Sequence, residues 1–329
     1  MPILRTAKRK AAVVYNPMKV DLAKLKKTVS AAAKAADWAT PVWFSTTRED
    51  AGQAATGSAI RRGAQVVIAA GGDGTVRAVA EALRGSGVAM AVVPVGTGNL
   101  LARNLDLPTG NIRDSVDIAF NGFDRKLDLG MVEIVRDNDD HEEHAFLVMA
   151  GLGLDAKMIK NTSTKLKKAV GWLAYVDGIA RSIPELRPVQ LHFSVDGGPN
   201  RSLSAHTVII GNCGSLPGGL LLMPEAKPDD GILDMAALVP RGRLGWLNIW
   251  NKIAWENGVL RKSVIGRRII DLSKDVRDVR YATGSDLNMI VESPEEFQLD
   301  GDEFGLAKSV HAWVDPLALI VRVPKPRTR

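Results

Sequence analysis

The sequence predicts a doubly wound α/β domain followed by an antiparallel β domain, and three observations predict this order. Apolar runs alternate with helical segments over residues 1–126, and glycine-rich turns follow several of these runs. From residue 127 onward, short alternating runs bounded by Gly, Asp and Pro replace that pattern. Alternating β and α segments favour a parallel sheet with helices on both faces, whereas short strands of period two favour antiparallel pairing.

The first part is predicted to contain four strands with three helices between them. The strands are Ala11–Tyr15, Val42–Phe44, Val66–Ala70 and Met90–Val95, and the helices are Leu22–Ala36, Ala51–Arg62 and Val76–Leu83. Because parallel strands end at a common edge, we expect a ligand site at their carboxyl ends.

The second part is predicted to consist of strands with one helical insertion. The strands are Leu127–Val135, Ala145–Met149, Val189–Val195, Thr207–Ile210 and Ile232–Leu238, and the insertion is Ala156–Ile183. The cleft between the two domains is the natural place for an active site.

Composition excludes several classes of protein. The net charge of +6 comes from the two ends, because without their eight basic residues it would be −2. The chain between its two ends therefore has no excess of positive charge, and we expect no nucleic-acid partner. The single cysteine, Cys213, excludes an internal disulfide and suits a reducing cytoplasm. No apolar run approaches the ~20 residues of a transmembrane helix.

Three turns at predicted strand ends carry the functional signal. They are Asn16-Pro17, Gly71-Gly72-Asp73-Gly74-Thr75 and Pro94-Val95-Gly96-Thr97-Gly98-Asn99. Glycines let backbone N–H groups approach a phosphate, and a helix N-terminus adds partial positive charge. The alternative is an ordinary strand-to-helix turn. Neither a Walker A motif nor the dinucleotide spacing Gly-x-Gly-x-x-Gly accounts for these turns.

Together with later motifs, these turns resemble the diacylglycerol kinase catalytic family, which includes sphingosine kinases, ceramide kinases and bacterial lipid kinases. The later motifs are Leu127-Asp128-Leu129-Gly130, Gly151-Leu152-Gly153-Leu154-Asp155-Ala156, Pro228-Asp229-Asp230-Gly231-Ile232-Leu233-Asp234 and Leu299-Asp300-Gly301-Asp302. Gly-Gly-Asp-Gly-Thr alone also occurs in NAD kinases, but the ordered series is more specific.

The resemblance implies an N-terminal ATP-binding domain over residues 1–126 and a C-terminal β-sandwich over 127–310, a fold like that of NAD kinases and diacylglycerol kinases. The last segment, about 311–329, is expected to return to the first domain. It also implies transfer of the ATP γ-phosphate to a lipid hydroxyl, with diacylglycerol as the expected acceptor and phosphatidic acid as the product. An NAD kinase-like enzyme and a catalytically inactive lipid-binding regulatory protein are the alternatives.

The resemblance also assigns the nucleotide contacts. They are Asn16, Pro17, Thr47 (or Thr46), Gly71, Gly72, Asp73, Gly74, Thr75, Gly96, Thr97 and Asn99. Asp73 is expected to act through Mg²⁺, water or a nearby cation, because a carboxylate cannot face phosphate unaided. Where the family usually continues Asn-Pro with a small pair, this chain has Met18 and Lys19.

Asp302 aligns with the proposed general base of the family, and Asp300 is expected beside it on one side of a strand or turn. With Asp73, they form the predicted catalytic set. The family usually has Glu at the position of Asp302, so the side chain of Asp302 is shorter by roughly 1.5 Å, the length of one C–C bond. Without the resemblance, the alternative is an Asp-Gly turn with solvated acids.

The loop that contains Pro228 resembles a structural Mg²⁺ site of the family. Its ligands would be the Asp230 carboxylate and the backbone carbonyls of Lys227 and Ile232, all hard oxygen donors. The alternative is an Asp-Asp-Gly hairpin turn.

Two amphipathic stretches could touch a bilayer. The stronger contains Trp246 and Trp250 beside basic residues, as is typical of the headgroup layer. The alternative is that both stretches pack onto the β domain. We therefore expect a cytoplasmic protein that meets its lipid at the inner face of the membrane; the sequence does not specify an oligomeric state.

Overall fold

The computed structural model describes residues 7–153, 188–216, 220–240 and 278–325. The chain divides into two compact units, which are treated separately below. Unit 1 comprises Met1–Leu129 and Pro316–Arg329, and unit 2 comprises Gly130–Asp315. The sequence placed the corresponding limits at residue 126 and at about residue 311.

Unit 1 alternates strands and helices, as predicted, over its first four strands. The strands are β1 (Ala11–Tyr15), β2 (Val42–Ser45), β3 (Val66–Gly71) and β4 (Ala89–Pro94). The helices are α1 (Leu22–Ala35), α2 (Gln53–Arg61), α3 (Asp73–Leu83), α4 (Leu100–Asn104) and α5 (Ile112–Asn121). The last two helices were not predicted.

Strands β1 to β4 of unit 1 pair parallel. Their order is β2-β1-β3-β4, and the end of β16 (Asp302–Val323) adds a fifth strand beside β4 through Ile320 and Val321. Both β3 and β4 are buried along their whole length, which explains their continuous apolar runs. The end of the chain thus contributes a strand to unit 1.

Helices cover both faces of this sheet. On one face, α1 and α5 share a core with alternate strand residues such as Val13, Ile68 and Ala91. On the other, a Cβ added to Gly52 at the start of α2 would lie 3.3 Å from the side chain of Val79 and 3.4 Å from that of Val14. The prediction of a doubly wound α/β unit is confirmed.

Unit 2 is built from strands that pair antiparallel. They are β5 (Phe123–Val135), β6 (His141–Phe146), β7 (Met149–Leu152), β8 (Val189–Val195), β9 (Arg201–Ala205), β10 (Thr207–Gly211), β11 (Ser215–Leu216), β12 (Leu220–Leu221), β13 (Leu233–Leu238), β14 (Val279–Gly284), β15 (Asp286–Leu299) and the first part of β16. The longest path of neighbouring strands in this unit runs β14-β13-β10-β7-β15-β16, and β8 and β9 extend it from β15. Inward-facing residues of these strands, including Phe146, Leu191, Met235, Phe297 and Leu299, form one core.

One predicted strand of unit 2 is wrong. The apolar run Ala145–Met149 was expected to be a single strand, but β6 ends at Phe146 and β7 begins at Met149. The backbone between them is bonded to a distant carboxylate instead of a neighbouring strand, as described below. The predicted insertion Ala156–Ile183 and the Trp246 stretch lie outside the described residues.

Within the described part of the chain, no helix has the length and apolar character needed to cross a bilayer.

Candidate functional site

The carboxyl ends of the strands of unit 1 bring the predicted turns to one edge of the sheet. Each turn continues the hydrogen bonding of the sheet by one residue. The three bonds join the N–H of Asn16 to the carbonyl of Ala70 (3.0 Å), that of Thr46 to Tyr15 (2.9 Å) and that of Val95 to Gly71 (3.0 Å). The common edge expected for a doubly wound sheet therefore carries all of them.

The first glycine turn leads directly into α3. Gly72 is the N-cap in an extended conformation, so the N–H groups of Asp73, Gly74 and Thr75 fall in the first helical turn. No carbonyl of the same helix can accept these N–H groups, which makes them donors for an anion. Thr75 itself is buried, and a Cβ on Gly71 would lie 2.4 Å from the Cβ of Thr75. The Thr75 hydroxyl, predicted as a phosphate contact, is packed against Gly71.

The second glycine turn is held by the side chain of Asn99. Its Oδ1 accepts the N–H of Gly96 at 2.9 Å, and its Nδ2 donates to the carbonyl of the same glycine at 2.9 Å. Asn99 is buried, and its φ of 49° lies in the left-handed region that Asn tolerates better than most residues. Thr97, at the tip of this turn, is exposed. Asn99 therefore shapes the turn, while Thr97 is available to a ligand.

Asp73 joins the two turns. Its Oδ2 accepts the N–H of Asn99 at 2.8 Å, and its Oδ1 accepts the N–H of Leu100 at 2.5 Å. The sequence assigned Asp73 to Mg²⁺, water or a cation, but the structure gives its carboxylate these two backbone partners. Charge-assisted bonds of this kind are about twice as strong as neutral ones. The negative charge of Asp73 is thereby directed at the second turn.

Close packing explains glycines that were attributed to phosphate approach alone. A Cβ on Gly96 would lie 2.8 Å from the Cα of Gly72, and one on Gly98 would lie 2.6 Å from Oδ2 of Asp73. Real Cβ atoms essentially never approach other atoms this closely. Gly96 and Gly72 therefore meet backbone to backbone, where glycine is required, whereas Gly98 lies against the side chain of Asp73.

The remaining predicted contacts lie on neighbouring turns of the same edge. Oδ1 of Asn16 accepts the N–H of Met18 at 2.9 Å, which closes a turn with Pro17 exposed. The hydroxyl of Thr47 accepts the N–H groups of Glu49 and Asp50 and closes the turn after β2. Both predicted side chains thus have a local structural role, and their contact with a nucleotide stays a prediction.

Sequence reasoning missed one cation at this edge. Arg103, in α4, is exposed, and its Nε donates to the carbonyl of Gly98 at 2.8 Å. A guanidinium held against the second glycine turn is suited to phosphate, since it keeps further N–H donors. Its position one helical turn after Asn99 was the available signal.

In unit 2, the predicted acid pair lies on a tight hairpin between β15 and β16. Leu299 pairs with Asp302, and both central residues, Asp300 and Gly301, have left-handed φ values of 49° and 89°. Asp-Gly is the sequence expected for such a two-residue turn. The Asp-Gly turn and the acid pair are therefore two descriptions of one feature, which we call the acid turn (residues 299–302).

The two acids do not share one side of this turn, which corrects the expectation from strand alternation. Asp300 is 4% exposed, whereas Asp302 is exposed. The reason is that they are the second and fourth residues of a hairpin turn and not alternate residues of one strand. Only Asp302 presents its carboxylate to solvent.

The buried carboxylate of Asp300 binds the chain between β6 and β7. It accepts the N–H groups of Leu147 (2.8 Å), Val148 (2.8 Å) and Met149 (3.0 Å), and its own N–H donates to the carbonyl of Met149 at 2.9 Å. We call residues 147–149 the bridge segment. These bonds explain why the apolar run Ala145–Met149 is not a continuous strand.

The predicted metal loop offers one carboxylate together with backbone oxygens. Gly231 has a φ of 75°, and Oδ1 of Asp230 accepts the N–H of Ile232 at 3.2 Å. Burial, assisted by the negative charges of Asp230 and Glu225, raises the pKa of Asp234 to about 6. This excess of negative charge and the hard oxygen donors fit a divalent cation. Among the residues that the structure describes, no three His, Cys, Asp or Glu side chains are grouped to hold a metal, so the predicted Lys227 and Ile232 carbonyls would be needed.

The Leu-Asp-Leu-Gly motif fixes the returning strand in unit 1. Asp128 is 1% exposed, and its Oδ1 accepts the N–H of Leu317 at 2.7 Å. Leu317 has a φ of 52°, which is unusual for a leucine. The buried carboxylate therefore supports a strained backbone position.

Comparison with known proteins agrees with these features. Residues 10–132 match the family model of the diacylglycerol kinase catalytic domain, and residues 147–270 match that of the YegS C-terminal NAD kinase beta sandwich-like domain. Together these matches cover more than half of the chain.

Two relatives are named as kinases. A protein of Pseudomonas aeruginosa named "Probable lipid kinase YegS-like" is 33% identical over 273 residues, which cover 81% of this chain and 79% of that protein. A diacylglycerol kinase of Mycobacterium tuberculosis is 29% identical over 196 residues, which cover 60% of this chain. The matched region spans 62% of the length of the mycobacterial protein, less than two thirds.

Solved structures show the same fold. A diacylglycerol kinase from Bacillus anthracis has a TM-score of 0.65 at 18% identity and covers 99% of this chain and 100% of its own. An NAD kinase from Archaeoglobus fulgidus in complex with ATP has a TM-score of 0.50 at 12% identity, covering 96% and 94%. The fold is the one that diacylglycerol kinases and NAD kinases share. The chain belongs to the diacylglycerol kinase and YegS-like family of lipid kinases.

Proposed function

We propose that this protein transfers the γ-phosphoryl group of ATP to the hydroxyl of a lipid, with diacylglycerol as the acceptor. The observation that carries this proposal is the pair of glycine turns locked together by Asp73 at the edge of the sheet of unit 1. Family membership supports the lipid kinase class, and the names of the Mycobacterium tuberculosis and Bacillus subtilis relatives support diacylglycerol.

ATP would bind through its phosphates at this edge. The N–H groups of the first turn of α3 donate to phosphate oxygens, and the positive end of the helix favours their charge. Thr97 and the guanidinium of Arg103 lie on the neighbouring turn and helix and add donors. Asp73 contributes indirectly, since it sets the second turn against the first.

Proton removal falls to Asp302. The lipid oxygen forms a bond to the γ-phosphorus as the bond to the bridging oxygen of ADP breaks, and the hydroxyl proton passes to the Asp302 carboxylate. Its exposure suits contact with a substrate. Asp300 is buried and accepts hydrogen bonds from the bridge segment. Mg²⁺, when bound, would screen phosphate charge and would also suit the loop of Lys227, Asp230 and Ile232.

The lipid would be met at the inner face of the membrane. The basic ends of the chain and the predicted Trp246 and Trp250 contacts favour an anionic surface. These tryptophans lie outside the described residues, so the surface contact rests on the sequence pattern.

The test is transfer of ³²P from labelled ATP into lipids in detergent micelles with Mg²⁺. Diacylglycerol, monoacylglycerol, sphingosine and ceramide are offered separately, with NAD as a soluble acceptor. We expect label in diacylglycerol and at least a 100-fold loss in Asp302→Asn, the low end of what general-base removal costs. Glu303→Gln makes the same charge change one residue further along β16 and should retain activity within about 2-fold.

Each other result has a defined meaning. Label only in another lipid would replace diacylglycerol as the acceptor, and label in NAD would overturn the lipid kinase proposal. ATP binding without any transfer would favour the inactive lipid-binding alternative. Full activity in Asp302→Asn would remove Asp302 from the mechanism.

A further inference from the structure

The bridge segment is hydrogen-bonded through its N–H groups and through its carbonyl groups. Asp300 holds its N–H groups, as described above. From the opposite direction, Nδ2 of Asn212 donates to the carbonyl of Leu147 at 3.1 Å, and the N–H of Asn212 donates to the carbonyl of Val148 at 2.9 Å. Asn212 is 1% exposed and follows directly after β10. The segment thus connects a buried asparagine to the buried acid of the acid turn.

Cys213 makes weaker contacts with the same peptide groups. Its N–H donates to the carbonyl of Val148 at 3.2 Å, and its Sγ lies 3.5 Å from the carbonyl oxygen of Leu147. It is buried to the same degree as Asn212. Because a thiol is a weak donor, the amide of Asn212 supplies the main side-chain bond to Leu147.

We propose that Asn212 is a positioning residue for phosphoryl transfer, acting through the bridge segment and Asp300 on the proton acceptor Asp302. This inference rests on the proposed function for its catalytic consequence and on the hydrogen bonds alone for its structural part. Asp300 and Asp302 flank a single glycine in a two-residue turn, so a shift of the bridge segment displaces both acids together. A displacement of about 1 Å at a reacting group can cost on the order of 100-fold in rate.

The proposal predicts a separation of kcat from nucleotide affinity. Asn212 lies in unit 2, whereas the glycine turns that would hold ATP lie in unit 1. Asn212→Ala should therefore lower kcat by roughly 10- to 100-fold and leave the KM for ATP within about 2-fold. Cys213→Ala is the matched control, since it removes a neighbouring buried side chain that approaches the same carbonyl; its kcat should stay within about 3-fold of the unmodified protein.

A double-mutant cycle distinguishes positioning from general loosening. Once Asp302→Asn has removed the proton acceptor, adding Asn212→Ala should change the residual rate by less than about 2-fold. If the two losses multiply, or if Cys213→Ala costs as much as Asn212→Ala, the proposal is overturned. An unchanged kcat in folded Asn212→Ala overturns it as well.

Amide hydrogen exchange tests the structural part without turnover. The amides of the bridge segment should exchange at least about 10-fold faster in Asn212→Ala than in the unmodified protein, with no change in the first turn of α3. If Asn212→Ala does not fold, Asn212→Asp is measured in the same way, because it keeps the shape but cannot donate to Leu147 when ionised. Unchanged exchange overturns the inference even if no lipid accepts phosphate, whereas faster exchange without any transfer places the failure in the proposed function.

Discussion

Asp73 illustrates how a residue in a predicted phosphate-binding turn can have a structural role. Its carboxylate accepts two N–H groups from the turn and helix after β4, about 26 positions along the chain. A carboxylate near the nucleotide would repel phosphate in the absence of such partners. These hydrogen bonds allow an acidic residue to lie at the start of α3, where its negative charge also interacts favourably with the helix dipole.

We expect Asp73→Asn to weaken ATP binding more than it slows chemistry. Its amide can accept one of the two N–H groups, but the NH₂ would oppose the other, so the contact between the turns is loosened. The free energy of unfolding should fall by about 1.5–3 kcal/mol, the range for a hydrogen bond to a charged group. The KM for ATP should rise about 10-fold, measured by steady-state kinetics, with calorimetric titration of a non-hydrolysable analogue as a check.

Asp114→Asn provides the comparison, since Asp114 is an exposed acid in the first turn of α5. It should change stability by no more than about 1 kcal/mol and leave ATP binding unaltered. If Asp73→Asn keeps full affinity and loses only kcat, then Asp73 acts on the reacting phosphate or its metal, as the sequence alone led us to expect.

At the residue scale, the sequence located the two glycine turns better than it explained their glycines. The turns containing Gly71 and Gly96 were found from their composition and their place after apolar runs. The reason for Gly96 and Gly98 is contact with Gly72 and Asp73, and neighbouring sequence carries no sign of a partner so distant along the chain.

At the scale of elements, the hairpin of β5 and β6 is tied to β16 by Arg136, whose side chain is 18% exposed. Its Nη2 donates to Oε2 of Glu142 at 2.6 Å, and its Nη1 donates to the carbonyl of Leu306 at 2.8 Å. The hydrogen bond from Arg136 holds the pKa of the Glu142 carboxyl below its usual value of 4.5. Since the pKa is lowered on folding, this stabilisation is present above about pH 4.5 and is lost as the pH falls through the lowered value.

Glu142→Gln should therefore lower the melting temperature at pH 7, and its difference from the unmodified protein should shrink as the pH falls below about 4.5. The loss at pH 7 should be under about 1 kcal/mol, because Glu142 is partly exposed and solvent screens the pair. Thermal unfolding followed by circular dichroism across this pH range measures it, and Glu143→Gln on the same strand supplies the control. A difference that persists undiminished at low pH would show that charge is not the cause.

The elements themselves were predictable to different degrees. Strands β1 to β4 and helices α1 to α3 could be predicted from local patterns of apolar residues. A helix with one buried face repeats apolar residues at helical spacing, and a buried strand is a short continuous apolar run. The break between β6 and β7 could not be predicted, since it depends on Asp300, more than 150 residues away. Helix α4 spans only Leu100–Asn104, too short to show a helical period.

At the scale of the whole molecule, the chain passes from one unit to the other inside strands. The division after Leu129 lies within β5, and that before Pro316 lies within β16. Unit 1 consequently contains a strand made from the far end of the sequence. That strand contributes buried Leu319 and Val321 and the hydrogen bond from Leu317 to Asp128.

Deletion of residues 316–329 should unfold unit 1. The deletion exposes the edge of β4, which is buried along its whole length, and leaves the Asp128 carboxylate without the N–H of Leu317. We expect loss of ATP-analogue binding and aggregation on warming, measured by calorimetry and light scattering. Deleting only residues 326–329 removes none of these contacts and should preserve binding. A deletion of 316–329 that still binds the analogue at its normal affinity would contradict this account.

The hydrogen bond between Asp300 and Val148 also limits how early the chain can fold during its synthesis. Its two residues are 152 positions apart, so at synthesis rates of roughly 5–20 residues per second the carboxylate leaves the ribosome about 8 to 30 s after the amide that it binds. The glycine turns are synthesised long before the acid turn. The strand that completes unit 1 lies after the acid turn in the sequence, so neither unit can be completed until synthesis is nearly finished.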